Sequence, residues 1–478
     1  MSCRSIARAL SNRNVWLQVL YSALSSGASS VSQGPFLSNY IRLLGLSPED
    51  LGFIFATSGI VNLVLAWPFG WATDKLPRQT FLRAGVAFAL LQGLAAAAAL
   101  QLRSKPLLFA SAALVGVANA CTGPALSASF ADSVPTGERT LAFTLLYTSA
   151  LAAGGLGPLA AAAFFWRQGN DWSLGVVVPL MQVGNALGMA ASLLLLLVRD
   201  ARALGGESEG VLAGGGSAEG EGEAGGGEDL EASLLSRAAD AAADAPSTAR
   251  RLGLGHQELR LCGCCTLTVA HIPYLLFSSD FIISIGAGMT VAYFPLFFSQ
   301  AEGLSPVALS LLFAAVPALI AVVGLLLVPL SRRCGRAPAA LLANVVGTGC
   351  LFSLWLALRL PVPVVCLMYL VRSGAMNGSA AVQRGLLMDV VPKKMRGRWS
   401  AMEALTGFTW TGSAVLGGWL INATGSYTWS FFYTAVIYSG ALLVFLPLLP
   451  LTRGERVDAG EGGAKAEEAK EPDGPINT

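Results

Sequence analysis

Charge is what this sequence has least of. Asp, Glu, Lys and Arg together make up 13% of its 478 residues, against about 25% in ordinary soluble domains. That scarcity argues against the three or so soluble domains the length alone would allow. Histidine is nearly missing. With only His256 and His271, Ser–His or His–metal chemistry has little material. No GxxxxGK[ST] loop is present to cradle phosphates, which counts against an ATP-driven pump. The eight cysteines are scattered apart from "CGCC" (Cys262, Cys264, Cys265), so no disulfide framework is implied. A net charge of +2 and a pI near 8.1, without a basic patch, point to no nucleic-acid partner. Nothing here reads as an enzyme, and no cofactor or metal set is expected.

What remains is apolar. Hydrophobic residues reach 54% and mean hydropathy is +0.60. Runs of about eighteen or more apolar residues recur, each a candidate membrane helix. Twelve spans are expected: 14–40, 50–70, 80–101, 107–130, 140–166, 173–198, 268–299, 305–330, 338–358, 362–386, 399–421 and 428–450. The first has no small-residue cleavage site after it, so it reads as retained. The lipid bilayer is therefore the expected surrounding.

A polar interval interrupts the spans. It is rich in Gly, Ala and Glu and has too little apolar surface to offset its ordering entropy. The expected division is a six-helix bundle over 1–198, a disordered cytoplasmic linker over 199–267, a second six-helix bundle over 268–451 and a disordered tail over 452–478. Charge sets the orientation. With the N-terminus in the cytoplasm, 24 of the 31 basic residues fall in or beside inner segments and five outside, while Arg372 and Arg384 lie in span 10. Without the long linker and tail the bias is still 14 to 5, which predicts cytoplasmic termini.

The chain also repeats itself. "LSPEDLGFIFA" (46–56) and "LSPVALSLLFA" (304–314) share LSPxxLxxxFA at an offset of 258. "DSVPTGER" (132–139) and "DVVPKKMR" (389–396) share DxVPxxxR at 257. "DKLPR" (74–78) falls opposite "RRCGR" (332–336) at 258. Two halves of one orientation, related by an axis along the membrane normal, are one architecture of secondary transporters.

On these residues the sequence resembles the major facilitator superfamily over nearly all of 14–450. "GWATDKLPR" is similar to the family's G-x3-D-[R/K]-x-G-[R/K] loop, with Gly70, Asp74, Lys75 and Arg78 matching and Pro77 standing where glycine is usual. Arg332, Arg333 and Arg336 are the weaker second copy. The resemblance implies an all-α membrane fold of two pseudo-symmetric six-helix bundles. It also implies a cytoplasmic cluster around Asp74 that holds the halves together when the protein faces outward. In each DxVPxxxR copy the proline stops a helix. Asp132 with Arg139, and Asp389 with Arg396, could then latch adjacent helix ends, or merely punctuate them. Gly157 and Pro158 in span 5 match a proton-antiporter motif, but small residues in membrane helices mostly mean close packing.

Two charges lie inside spans. Asp280 in "LFSSDFIISIGAGM" and Arg372 in "MYLVRSGAMNGSAAVQRG" each sit about eleven residues, or about 16 Å, from the expected start of their span. The resemblance implies that spans 1, 4, 7 and 10 line a central cavity, so both would share one wall near mid-membrane. Each alone costs about 2.5–3.5 kcal/mol to insert. Asp280 as a proton site opposed by Arg372, Arg372 as an anion site, and a static buried pair all remain open. Gln33, Asn39, Asn119 and Asn377 are further candidate contacts, and "GAGM" (286–289) could bend span 7 beside them. "CGCC" suits reversible palmitoylation, and Asn422 begins an "NAT" sequon.

The expected function is secondary active transport of a small organic solute by alternating access, proton-coupled through Asp280 and Arg372, by a monomer. A facilitative uniporter, or a non-transporting sensor or scaffold of the same fold, is the alternative. Sparse charge and aromatic-flecked spans favour an amphiphilic solute, and the sugar-porter PESPR signature is absent.

Overall fold

The two LSP segments are helix starts, for the same chemical reason. Ser47 accepts a hydrogen bond from the Asp50 amide at 3.2 Å, and Asp50 accepts one in return from the Ser47 amide. Ser305 accepts from the Ala308 amide at 3.4 Å. In each case proline occupies the first turn, where its missing N–H costs nothing. The repeat in the sequence is thus a repeated cap.

The computed structural model describes residues 12–134, 139–200, 259–261, 265–391 and 405–453. Twelve helical spans run through them. The first half comprises span 1 (Arg13–Ser32 and Gly34–Leu43), span 2 (Pro48–Lys75), span 3 (Arg78–Leu102), span 4 (Lys105–Asp132), span 5 (Arg139–Gln168) and span 6 (Leu174–Leu193). The second half opens with span 7, Ile272–Val291 extended by Phe294–Leu296 and a π-turn at Phe297–Ala301. Span 8 (Pro306–Cys334), span 9 (Arg336–Trp355), span 10 (Val362–Gly378 and Ala380–Val390), span 11 (405–412 and Ala414–Thr424) and span 12 (Tyr427–Phe445) follow. Nine of these helices are long and apolar enough to cross a membrane. Spans 1, 10 and 11 are interrupted at Gln33, Ser379 and Ser413. In span 1 the cause is Pro35, which cannot continue the hydrogen-bond ladder.

Packing follows the repeat. Spans 2 and 11 meet across the halves, as do spans 5 and 8. Glycine permits the first crossing. A Cβ on Gly59 would collide with Thr411, and one on Gly52 would lie 2.7 Å from the Ala414 carbonyl. Apolar side chains cover much of the outside. Only 11% of the most apolar stretch of span 8 is fully buried within the protein, so much of what does not pack on spans 5 and 10 is a surface for lipid.

The ends of the expected linker are ordered. Asn14, fully buried, donates to the Arg199 carbonyl at 2.9 Å and accepts from its amide at 3.2 Å. Asp200 accepts from the Gln79 amide at the start of span 3. Just before span 7, β1 (Leu259–Leu261) and β2 (Cys265–Leu267) pair antiparallel, with Arg260 opposite Thr266. Residues 201–258, Cys262, Cys264 and the tail beyond 453 lie outside the described residues.

Candidate functional site

The end carrying loops 1–2, 3–4, 5–6, 7–8, 9–10 and 11–12 is labelled outer, after the orientation that charge predicts. Among the described residues, every hydrogen bond between the halves is at this end. Tyr293 of span 7, fully buried, reaches the Pro48 carbonyl of span 2 across the halves at 3.1 Å, and within its own half it donates to the Ala414 carbonyl of span 11 at 2.6 Å. Ser299 donates to Asn39 at 2.6 Å, and Ser38 to the Ala292 carbonyl at 3.0 Å. Trp172 donates to Leu304, Asn170 accepts from the Val307 amide, and Asn422 donates to Glu49. A buried apolar cluster joins Tyr40 and Leu51 to Tyr293, Leu296 and Ile421 behind these bonds. The outer end is closed.

No such bond between halves is found among the described residues at the inner end. Arg78 pairs instead with Asp132, joining spans 3 and 4 within one half. Two motifs read separately in the sequence therefore meet, but not across the halves. A Cβ on Gly70 would face open space, and Arg332 and Arg333 are exposed at the end of span 8. Arg336 is half-buried. The side chains of Asp74, Lys75, Arg139 and Asp389, and all of Arg396, lie outside the described residues.

Inside the first half, spans 1, 3, 4 and 6 enclose a cavity of about 320 Å³. A smaller lobe of about 80 Å³ continues beneath span 2 and shares Gln33, Gln92 and Asn185 with it. The void exists because the facing residues are small, among them Ser25, Ala28, Ala89, Ala118 and Gly188. Gln33 reaches it from the break in span 1, and Asn119 from span 4. Both are exposed within the protein, and their side chains make no hydrogen bond among the described residues. Two of the six expected polar contacts are thus brought together here. Gln92 and Asn185 were not anticipated, since they belong to spans 3 and 6, outside the set implied to line a cavity. A carboxamide near the middle of each of two apolar runs was the available signal.

The other candidates are placed elsewhere. Asn39 accepts from Ser299 in the outer closure and donates to the Pro35 carbonyl. Asn377 donates to the Ser373 carbonyl of its own helix. Arg372 is buried in the second half, 4% exposed. Its Nη2 donates to the Tyr438 hydroxyl at 3.2 Å, its guanidinium carbon lies 5.2 Å from the Phe294 ring centre, and its Nε has no partner among the described residues. Asp280 is exposed. No ion pair between Asp280 and Arg372 is found among the described residues. The glycines of "GAGM" serve close approach. A Cβ on Gly286 would lie 2.9 Å from the Tyr438 ring, and one on Gly288 would strike the Trp410 carbonyl.

The family model described as Major Facilitator Superfamily matches residues 19–252 and 276–472. No curated protein matches the chain in sequence. Among solved structures, a D-xylose–proton symporter is similar with a TM-score of 0.64 and 16% identity, over 92% of this chain and 98% of that one. The xylose transporter XylE from E. coli, in an inward-open conformation, gives 0.60 and 16% over 94% and 98%. The nucleoside transporter NupG gives 0.58 and 11% over 92% and 99%. At these identities the likeness is one of fold.

Proposed function

The chain belongs to the major facilitator superfamily, and from that premise we propose that it moves a small organic solute by alternating access, proton-coupled through Asp280 and Arg372. One observation carries the reading: the halves are hydrogen-bonded to each other at the outer end, with no such bond among the described residues at the inner end. Two bundles whose hydrogen bonds to each other, among the described residues, all lie at one rim can rock about it, and a gate of separate hydrogen bonds can open without unfolding either bundle. The similar structures include transporters of xylose and of nucleosides, which supports a small organic solute.

The proposed organisation is a monomer of two six-helix halves, 1–198 and 268–451, with both termini cytoplasmic. That orientation makes the present state inward-facing. Arg78–Asp132 and the Asp74 loop are then parts of an inner gate in its open arrangement, while Asn39, Ser299 and Tyr293 form the outer gate.

The proton role rests on two ionisable side chains inside the second half, exposed Asp280 of span 7 and buried Arg372 of span 10, whose hydrogen bond among the described residues is to Tyr438 of span 12. Protonation of Asp280 removes its negative charge from the half that holds this buried guanidinium. The test is solute flux into proteoliposomes with and without a pH gradient. In Asp280→Asn the gradient-driven component should vanish while solute exchange continues. Unchanged gradient-driven flux at normal protein levels would leave a uniporter and remove the proton site.

A further inference from the structure

We propose that the cavity between spans 1, 3, 4 and 6 is a binding site for a neutral, polyhydroxylated solute of monosaccharide size. This rests on the reading of the chain as a solute transporter and names the chemistry of its cargo. No charged side chain lines either lobe. An ionic solute entering there would lose its hydration without a counter-charge, a cost of several kcal/mol or more. A neutral one would not.

What the walls supply is paired donors and acceptors. A carboxamide offers both, which matches a hydroxyl that also does both. Asn185 shows that the site is built. It is 8% exposed, and its Nδ2 donates to the Gly93 carbonyl at 2.7 Å. Because a carbonyl can only accept, that contact fixes which way the amide points. Its Oδ1, bonded to nothing among the described residues, is left for the cavity. Gln92 repeats the device with its Nε2 on Ser111 at 3.3 Å. Gln33 and Asn119 complete the ring with both ends of their amides unused.

Four carboxamides from four helices, two of them pre-oriented, are more than packing needs. Helix-packing polar groups usually bond across to a neighbour, as Asn344 and Ser379 do in the second half; Asn185 and Gln92 do so through one end of the amide only, and Gln33 and Asn119 not at all among the described residues. The volume lies at the lower end of the range for small-molecule sites, about 300–1,000 Å³, which limits the cargo to a small ring or chain.

The test is calorimetric binding to the purified full chain, with D-xylose and D-glucose as neutral probes. D-Gluconate and D-glucosamine serve as charged probes of similar size. The expected result is that a neutral probe binds and both charged ones bind at least about tenfold more weakly, the equivalent of about 1.4 kcal/mol. Gln33→Leu and Asn119→Leu should each weaken the neutral probe about tenfold. These two break no hydrogen bond within the protein, so folding is not at stake as it is for Asn185. Binding unaltered in both variants, tighter binding of gluconate or glucosamine, or no binding of any probe would each overturn the inference. None of these outcomes touches the transport reading, which falls only if flux is absent for every solute.

Discussion

Replacing Tyr293 by phenylalanine isolates the outer closure. The hydroxyl is the only atom lost. It ties span 7 to span 2 through the Pro48 carbonyl and to span 11 through the Ala414 carbonyl. The ring stays packed in a fully buried position, so no cavity forms. Each hydrogen bond contributes about 0.5–1.5 kcal/mol net. Only the bond to Pro48 joins elements that separate when the outer end opens; the bond to Ala414 lies within the second half. Tyr293→Phe should therefore weaken the closed state by about 1 kcal/mol, roughly a fivefold change in the ratio of open to closed molecules. Spin labels at Leu102→Cys in span 3 and Arg359→Cys in loop 9–10, both exposed at the outer end, report this in a cysteine-free background. The long-distance population should grow in Tyr293→Phe. A distance distribution identical to the parent, at unchanged thermal stability, would refute the claim that these bonds hold the rim.

Two other perturbations act on the same rim. A side chain at Gly59 must displace Thr411, so Gly59→Val should favour the outward-open distance by about 1–3 kcal/mol, with Thr411→Ala restoring part of the loss. Glu302, beside the Trp172–Leu304 bond, has one buried oxygen without a partner, and burial pushes its carboxyl above the ordinary 4.5. A raised value means the folded state prefers the neutral acid. Its stabilising contribution is complete below pH 4.5 and fades as pH rises through the folded value. Melting temperature should accordingly fall with rising pH above that point in the parent, and Glu302→Gln should flatten the fall. A profile unaltered by the substitution would assign the dependence elsewhere.

Much of the fold was legible in the residues. Apolar runs located the spans, and LSPxxLxxxFA marked two helix starts because Ser and Pro act locally, through a cap and a fixed φ. Charge patterning was local in the same sense. The site was harder to read, since its residues meet only after packing. Gln33 and Asn119 were visible as polar residues in apolar helices, but Gln92 and Asn185 looked identical to any packing carboxamide. Averaging over each span dilutes its few amides among apolar neighbours, which is why these walls read as apolar in the sequence. Asp280 and Arg372 stood out as charges in apolar runs. Helix rotation was not readable, so the Arg372–Tyr438 hydrogen bond and the difference in burial between the two charges were not anticipated. The pairing of Arg78 with Asp132 likewise depends on how spans 3 and 4 align, which neither motif contains.

Transport by alternating access requires that the outer end open in every cycle. Asn39→Cys and Ser299→Cys place thiols where the parent side chains meet across the halves at 2.6 Å. A short bis-thiosulfonate cross-linker, cleaved by reductant, can then lock that end in proteoliposomes. Flux of a solute identified by binding should stop on cross-linking and return on reduction. Flux that continues at full rate through the locked protein would contradict the mechanism.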